Sequence, residues 1–152
     1  MRVWIGGLAF CCVFVGGTAR PDDIVVSREN IFSLRETLSR LTPTPIIDPD
    51  DKDGLLNVYG NELAKRAFEE KSAQAPTGSI FVNEKTVSGK VEAIGVMVKR
   101  PANFDTPHGD WEYFYADPWG AFRNGSLADC IACHQQAKSP DYVFYPGAAP
   151  KP

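Results

Sequence analysis

The fold is decided by three consecutive runs, SIFVNEKT at Ser79–Thr86, GKVEAIGVMVKR at Gly89–Arg100 and DWEYFYA at Asp110–Ala116. All three are rich in β-branched and aromatic residues, a composition that predicts strands. In the second run the residues alternate between two faces, with Ile94, Val96 and Val98 on one and Ala93, Gly95 and Met97 on the other. We therefore expect one face of this strand to cover the core and the other to line a bulky apolar group.

The segment before these runs predicts a helix followed by a linker. Ser27 is a suitable N-cap, and the apolar spacing after it favours a helix over residues 28–40. Pro43, Pro45 and Pro49 then predict an extended connection, because proline fixes φ and removes a backbone donor.

The remainder of the chain adds one strand and two helices. Leu55–Tyr59 is predicted to form a short strand, and Asn61 is predicted to begin a helix directly after it. A last helix is expected over residues 127–138, after a turn-forming Asn-Gly-Ser. The order of these elements predicts an α+β fold, mostly an antiparallel β-sheet with flanking helices.

Residues 1–19 have the layout of a secretory signal peptide. Arg2 precedes an apolar run that ends at Gly17, and Ala19 fits the small residue before a cleavage site. The alternative is an uncleaved membrane anchor, although the run is shorter than the roughly 20 residues that cross a bilayer. We therefore expect export to the periplasm and no integral membrane domain.

Length and composition predict a single domain and exclude one class of partner. The chain has 152 residues, so we place one domain over residues 20–152, with a loose tail over 145–152. Hydrophobic residues make up 43% and charged residues 23%, as in a soluble globular chain. The formal net charge of -3 lacks the basic surface that nucleic acid requires, so nucleic acid is not expected as a partner.

Beyond the signal peptide only two cysteines remain, in the motif Cys130-Ile131-Ala132-Cys133-His134. This is the c-type haem attachment pattern, in which both thiols bond to vinyl groups of one porphyrin and the histidine ligates the iron. The motif predicts one covalently attached haem c, with His134 as the metal ligand. Three alternatives use the same residues, namely a dithiol redox pair, a zinc site and a disulfide.

Several stretches between Leu55 and Pro146 match the sequence pattern of a known family. They are TGSIFVNE at Thr77–Glu84, GVMVKR at Gly95–Arg100, GDWEYFY at Gly109–Tyr115, DCIACH at Asp129–His134 and VFYP at Val143–Pro146. Together they resemble the cytochrome P-460 family and its relative cytochrome c′-beta. That resemblance implies a mostly antiparallel β haem protein, commonly a homodimer, with a five-coordinate iron whose distal side is open.

The sequence departs from those family members that oxidise hydroxylamine. They carry a lysine cross-linked to the porphyrin, and the corresponding residue is Asn83, with Lys85 two residues later on the same side of the strand. Their distal arginine and catalytic carboxylate correspond to Leu56 and Gly95. These departures favour a likeness to the gas-binding relatives, and they leave Lys85 as the candidate cross-linker and catalytic residue.

Further residues are candidates for contact with the haem. Those expected to bind the cofactor are Phe81, Asn83 and Trp111. For Trp111, as for Phe114, a plain core position remains an equal alternative. His108 and Met97 are the candidates for a sixth iron ligand. Lys99 is expected to be solvated at the rim of the site.

These observations leave three functions open. The first is binding of nitric oxide or a similar small gas at a five-coordinate iron, with or without transfer of an electron to a redox partner. The second is oxidation of hydroxylamine or nitric oxide at a haem cross-linked to Lys85, so the sequence does not decide whether the protein is an enzyme. The third is electron transfer at a six-coordinate haem.

The alternating aromatics of Asp110–Ala116 predict an exposed apolar patch and a homodimer.

Overall fold

A seven-stranded antiparallel β-sheet forms the centre of the protein, in a computed structural model that describes residues 25–145. The predictions for residues 1–19 and 146–152 lie outside that range. The strands are β1 (Ser39–Arg40), β2 (Ile46–Asp48), β3 (Asp51–Gly60), β4 (Ile80–Val87), β5 (Lys90–Lys99), β6 (Trp111–Ala116) and β7 (Phe122–Gly125). They lie in the order β1-β3-β4-β5-β6-β7, and β2 also pairs with β3. The predicted antiparallel sheet is confirmed.

The three strands predicted at the centre of the sheet match β4, β5 and β6, whereas its edges differ from prediction. β3 begins at Asp51 rather than Leu55, because its polar first residues form a hairpin with β2. The predicted linker therefore contains an edge strand, which Pro45 and Pro49 flank without interrupting it. The sequence does not predict β7, a short and largely exposed strand with few apolar residues.

The two faces of the sheet are covered by different parts of the chain. One, here called the N-terminal face, packs against residues from Val26 to Leu38, and its buried side chains include Ile80, Val82, Ile94, Val96, Val98 and Phe114. The other, here called the helical face, carries Phe81, Met97, Trp111 and Tyr113 and packs against both helices and the C-terminal segment. Each buried aliphatic or aromatic side chain of this size contributes roughly 1.5–3 kcal/mol to folding.

Both predicted helices after β3 are present. α1 (Glu62–Glu70) has Asn61 as its N-cap, whose side-chain oxygen accepts a hydrogen bond from the backbone nitrogen of Ala64 at 3.0 Å. α2 (Ala128–His134) is shorter than predicted, and a 3-10 turn over Gln135–Ala137 continues it. Within residues 25–145 no helix has the length and apolar character needed to cross a bilayer.

The helix predicted over residues 28–40 is wrong. This segment consists of turns, a 3-10 helix over Leu34–Thr37 and strand β1. Its polar side chains bond to nearby backbone groups, for example Ser33 Oγ to the carbonyl of Asn30 at 3.1 Å and Thr37 Oγ1 to the carbonyl of Leu34 at 2.9 Å. Such local bonds compete with a regular helix, although the apolar residues of the segment still pack on the sheet.

Candidate functional site

The cysteine–histidine motif lies on α2, which packs against the helical face of the sheet. Leu127, Cys130 and Ile131 pack against the core cluster there, which includes Phe81 and Tyr113, so this cluster anchors the helix. Cys130 is half-buried, Cys133 is exposed, and both thiols are free. One turn of helix thus presents two thiols and an imidazole at the same side of the sheet.

The imidazole of His134 is held by a backbone carbonyl and two aromatic rings. Its Nδ1 lies 2.7 Å from the carbonyl oxygen of Tyr142, and the rings of Tyr113 and Phe144 lie 5.4 and 5.3 Å from its own. A carbonyl only accepts, so Nδ1 carries the proton. Burial lowers the pKa of His134, which favours the neutral ring. Nε2 has no hydrogen-bond partner among the described residues, so its lone pair is available to a metal ion.

The two thiols are protonated at neutral pH. Burial, and next the charge of Asp129, raise the pKa of Cys130 to about 11. Burial also raises the pKa of Cys133, with smaller contributions from Asp50 and Asp48. Dithiol redox pairs rely on a lowered thiol pKa, so this environment does not favour that alternative. Across residues 25–145, no three His, Cys, Asp or Glu side chains are grouped so that they could hold a metal ion.

An open row of side chains crosses the helical face next to the core. Strand register places Val58, Asn83, Gly95 and Tyr115 side by side, one step along the strands from Phe81, Met97 and Tyr113. Asn83 is exposed and the other three are half-buried. A Cβ built on Gly95 would meet only the backbone oxygen of Asn83, at 4.0 Å. The open space above Gly95 therefore allows another group to approach the sheet closely.

The amine of Lys85 forms ion pairs with two carboxylates. Its Nζ lies 2.9 Å from Asp51 Oδ2 and 3.0 Å from Asp48 Oδ2, and hydrogen bonds to these two groups raise its pKa. Asp48 also influences the pKa of Cys133, so this cluster lies near the motif. Leu56 is the cross-strand neighbour of Lys85 and carries no charge. Lys85 is on the predicted face, but as an ammonium ion it is not a nucleophile.

The two candidates for a sixth iron ligand have other partners. His108 Nδ1 lies 2.9 Å from Asp105 Oδ1, in the 3-10 turn over Thr106–His108. Met97 is buried between Phe81 and Tyr113, its cross-strand neighbours. Both side chains thus already have protein contacts, and ligation of iron by either of them stays a prediction.

Two expectations about β5 and β6 need correction, the exposed aromatic patch and the solvated Lys99, and both Phe114 and Trp111 lie in the core. Phe114 packs on the N-terminal face, away from the motif. Trp111 is fully buried on the helical face, yet its Nε1 donates to the carbonyl of Asp141 at 2.9 Å. Tyr113 and Phe114 are also buried, so the strand does not expose the patch from which a dimer was inferred. Lys99, expected in solvent, is only 4% exposed because it pairs with Asp141.

Some contributions to the site have no clear sequence signal. Tyr142 acts on His134 through its carbonyl, a group that every residue has. Tyr145, predicted at the start of a loose tail, is buried, and its hydroxyl donates to the carbonyl of Ser72 at 3.1 Å. Gly95 does have a signal, because a glycine inside a strand often marks close approach of a ligand.

The arrangement fits a porphyrin bound through the motif. Two free thiols three residues apart, an imidazole with an available Nε2 and an adjoining open row are the parts that a covalently bound haem requires. A family model described as Cytochrome P460 matches residues 42–145, more than half of the chain. This range includes the motif and the open row. No curated protein matches the sequence.

Proposed function

Because this chain belongs to the cytochrome P460 family, a family of haem cytochromes, we propose that it is a mono-haem c-type cytochrome that binds nitric oxide or a similar small gas at a five-coordinate iron. The observation that carries this proposal is the open row at Gly95, which lies one step along the strands from Tyr113, whose ring contacts the histidine with the available Nε2. An iron held on one side only, next to an open space, is suited to a small ligand.

In this proposal α2 supplies all the attachment chemistry. Cys130 and Cys133 would hold one haem through thioether bonds to its vinyl groups, and His134 would ligate the iron through Nε2. The hydrogen bond from Nδ1 to the Tyr142 carbonyl fixes the tautomer and the orientation of the ring. The haem supplies an iron that binds diatomic ligands and exchanges one electron.

The open row selects the ligand by size and charge. Gly95 leaves the room, Val58 provides an apolar wall, and Asn83 adds one amide that can donate a hydrogen bond. None of these three residues is charged, and the Arg123 guanidinium above the Tyr115 ring pairs with Asp129. An anion that enters the row would therefore lose hydration and gain little ion pairing. A neutral diatomic molecule loses little on entering, and the row therefore favours nitric oxide over nitrite or other anions.

The remaining parts of the proposal concern the setting of the protein. We propose that residues 1–19 direct export to the periplasm, that the protein acts as a homodimer, and that a redox partner exchanges electrons with the haem. The dimer rests on the family resemblance, since the aromatic strand does not supply an exposed patch. Oxidation of hydroxylamine would require Lys85 to leave Asp48 and Asp51 and bond to the porphyrin.

An absorption spectrum of the purified holoprotein, with titration of the ferrous form by nitric oxide and carbon monoxide, tests the proposal. We expect a high-spin ferric spectrum and saturable binding of both gases. Lys85→Ala is the matched control, and its spectrum should equal that of the wild type. A low-spin spectrum that resists both gases would contradict an open iron, and a strongly red-shifted Soret band lost in Lys85→Ala would indicate the cross-linked enzyme instead.

A further inference from the structure

A buried ion pair lies on the helical face at a distance from the open row. Lys99 is 4% exposed, and its Nζ lies 2.7 and 2.8 Å from the two carboxylate oxygens of Asp141. The same Nζ donates to the carbonyl of Gly109 at 2.7 Å and lies 4.9 Å from the centre of the Trp111 ring. Removing two charges from water costs free energy, so an ion pair this deeply buried indicates a structural or functional role.

The pair anchors a turn of unusual backbone conformation. Asp141 and Tyr142 have φ values of 47° and 62°, in the left-handed region that non-glycine residues rarely adopt. Besides Lys99, the backbone nitrogen of Ala75 donates to Asp141 Oδ2 at 2.8 Å, and Trp111 Nε1 donates to the Asp141 carbonyl at 2.9 Å. Strain of this kind persists only where several contacts hold it in place.

The next carbonyl in this turn is the one that meets the histidine. Tyr142 accepts the hydrogen bond from His134 Nδ1 at 2.7 Å, and its own hydroxyl donates to the carbonyl of Pro107 at 2.9 Å. The direction of the Tyr142 carbonyl depends on the left-handed conformation of Asp141 and Tyr142, which the ion pair stabilises. Hydrogen bonding at Nδ1 in turn sets how strongly the opposite nitrogen donates to a metal.

We propose that Lys99 and Asp141 are positioning residues for His134, and that through the Tyr142 carbonyl they set the strength of the bond between Nε2 and the haem iron. This inference rests on the proposed function, because it requires a haem ligated by His134. Loss of the pair relaxes the turn, weakens the hydrogen bond to Nδ1 and makes the imidazole a poorer donor. The iron–histidine bond weakens as a result, and the ferrous form becomes easier to reach.

The test compares holoprotein variants by resonance Raman spectroscopy of the ferrous form and by the midpoint potential. The double variant Lys99→Met with Asp141→Asn leaves no buried charge unpaired, and asparagine tolerates the left-handed conformation. We expect a lower iron–histidine stretching frequency and a higher potential than in the wild type. The single variant Lys99→Arg keeps the charge, so its stretching frequency and potential should lie closer to those of the wild type than to those of the double variant.

A second ion pair provides a matched control. Arg100, the residue after β5, has its NH2 2.5 Å from Oε2 of Glu112 on β6. The double variant Arg100→Met with Glu112→Gln should leave both readings unchanged. If Lys99→Met with Asp141→Asn does not fold, Trp111→Phe removes only one bond to the turn and should shift both readings in the same direction by less.

The outcomes separate this inference from the proposed function. A covalently bound haem with an unchanged stretching frequency and potential, in whichever of these variants folds, would overturn the positioning role alone. An equal shift in the Arg100–Glu112 control would overturn it as well, since the effect would then be general. Wild-type protein that carries no covalent haem would overturn the proposed function, and the inference with it.

Discussion

Enlarging Gly95 is expected to stabilise the fold while it weakens binding of the gas. The backbone of Gly95 does not have a positive φ, so an ordinary residue is accommodated without strain. A Cβ at this position would meet only the backbone oxygen of Asn83, at 4.0 Å. Since glycine inside a strand costs about 0.5–1 kcal/mol relative to alanine, Gly95→Ala should raise the free energy of unfolding by that amount. The midpoint of thermal unfolding should rise by roughly 1–4 °C.

The same space is where the proposed ligand binds, so a longer side chain competes with it. Gly95→Leu places a branched side chain in the open row, beside Asn83 and Tyr115. Overpacking a site costs about 1–3 kcal/mol, which corresponds to roughly a 5- to 150-fold loss of affinity. Gly95→Ala should lie between Gly95→Leu and the wild type.

The assay is equilibrium binding of carbon monoxide to the ferrous holoprotein, together with thermal unfolding of the same samples. Val91→Leu is the matched control, because Val91 lies on the same strand but packs with the cluster on the N-terminal face. Its affinity should equal that of the wild type. An affinity of Gly95→Leu within a factor of two of the wild type would refute the assignment of the open row to the ligand.

Three further predictions concern the surroundings of the site. The Tyr113 hydroxyl is buried without a hydrogen-bond partner in the described part of the chain, so Tyr113→Phe should stabilise the protein by about 1 kcal/mol at pH 7 in urea unfolding. A variant less stable than the wild type at pH 7 would contradict this expectation. Burial also raises the pKa of Tyr113 above its usual 10.0, so the wild type should lose stability relative to the variant as the pH rises above 10. The hydrogen bond from Lys85 lowers the pKa of Asp51 below 3.8, so Lys85→Met should lower the midpoint of unfolding at pH 7. The difference in midpoint from the wild type should shrink as the pH falls below about 4, because Asp51 is then protonated in the unfolded state. An equal difference at pH 3 would argue against the ion pair. Sedimentation at micromolar concentration should give a dimer, and a monomer would remove that part of the proposal.

The central strands and the motif were accessible from the sequence for simple physical reasons. Alternating apolar residues in β5 can satisfy two covered faces only as a strand, and the structure places Val96 and Met97 on opposite sides as predicted. Asn61 is a strong N-cap, so the start of α1 was also predictable. The spacing of Cys130, Cys133 and His134 is local, and it identifies the chemistry without the fold.

What the sequence could not supply depends on distant partners. Lys99 is buried because of Asp141, which lies 42 residues away along the chain, and no local pattern links the two. The left-handed turn at Asp141 and Tyr142 contains no glycine to reveal it. Residues 28–40 have helical apolar spacing, but their serine, threonine and asparagine side chains bond to nearby carbonyls instead. In each case tertiary contacts or side-chain bonds override the local preference.

Mass spectrometry of the tryptic haem peptide tests the central claim most directly. We expect one haem-bearing peptide, Asn124–Lys138, with thioether bonds at Cys130 and Cys133 and no other segment attached. Ser72–Lys85 should then be recovered as a separate, unmodified peptide, because the ion pairs of Lys85 keep its amine from the porphyrin. A branched peptide that joins Ser72–Lys90 to the haem through Lys85 would contradict the gas-binding account, and so would recovery of Asn124–Lys138 without haem.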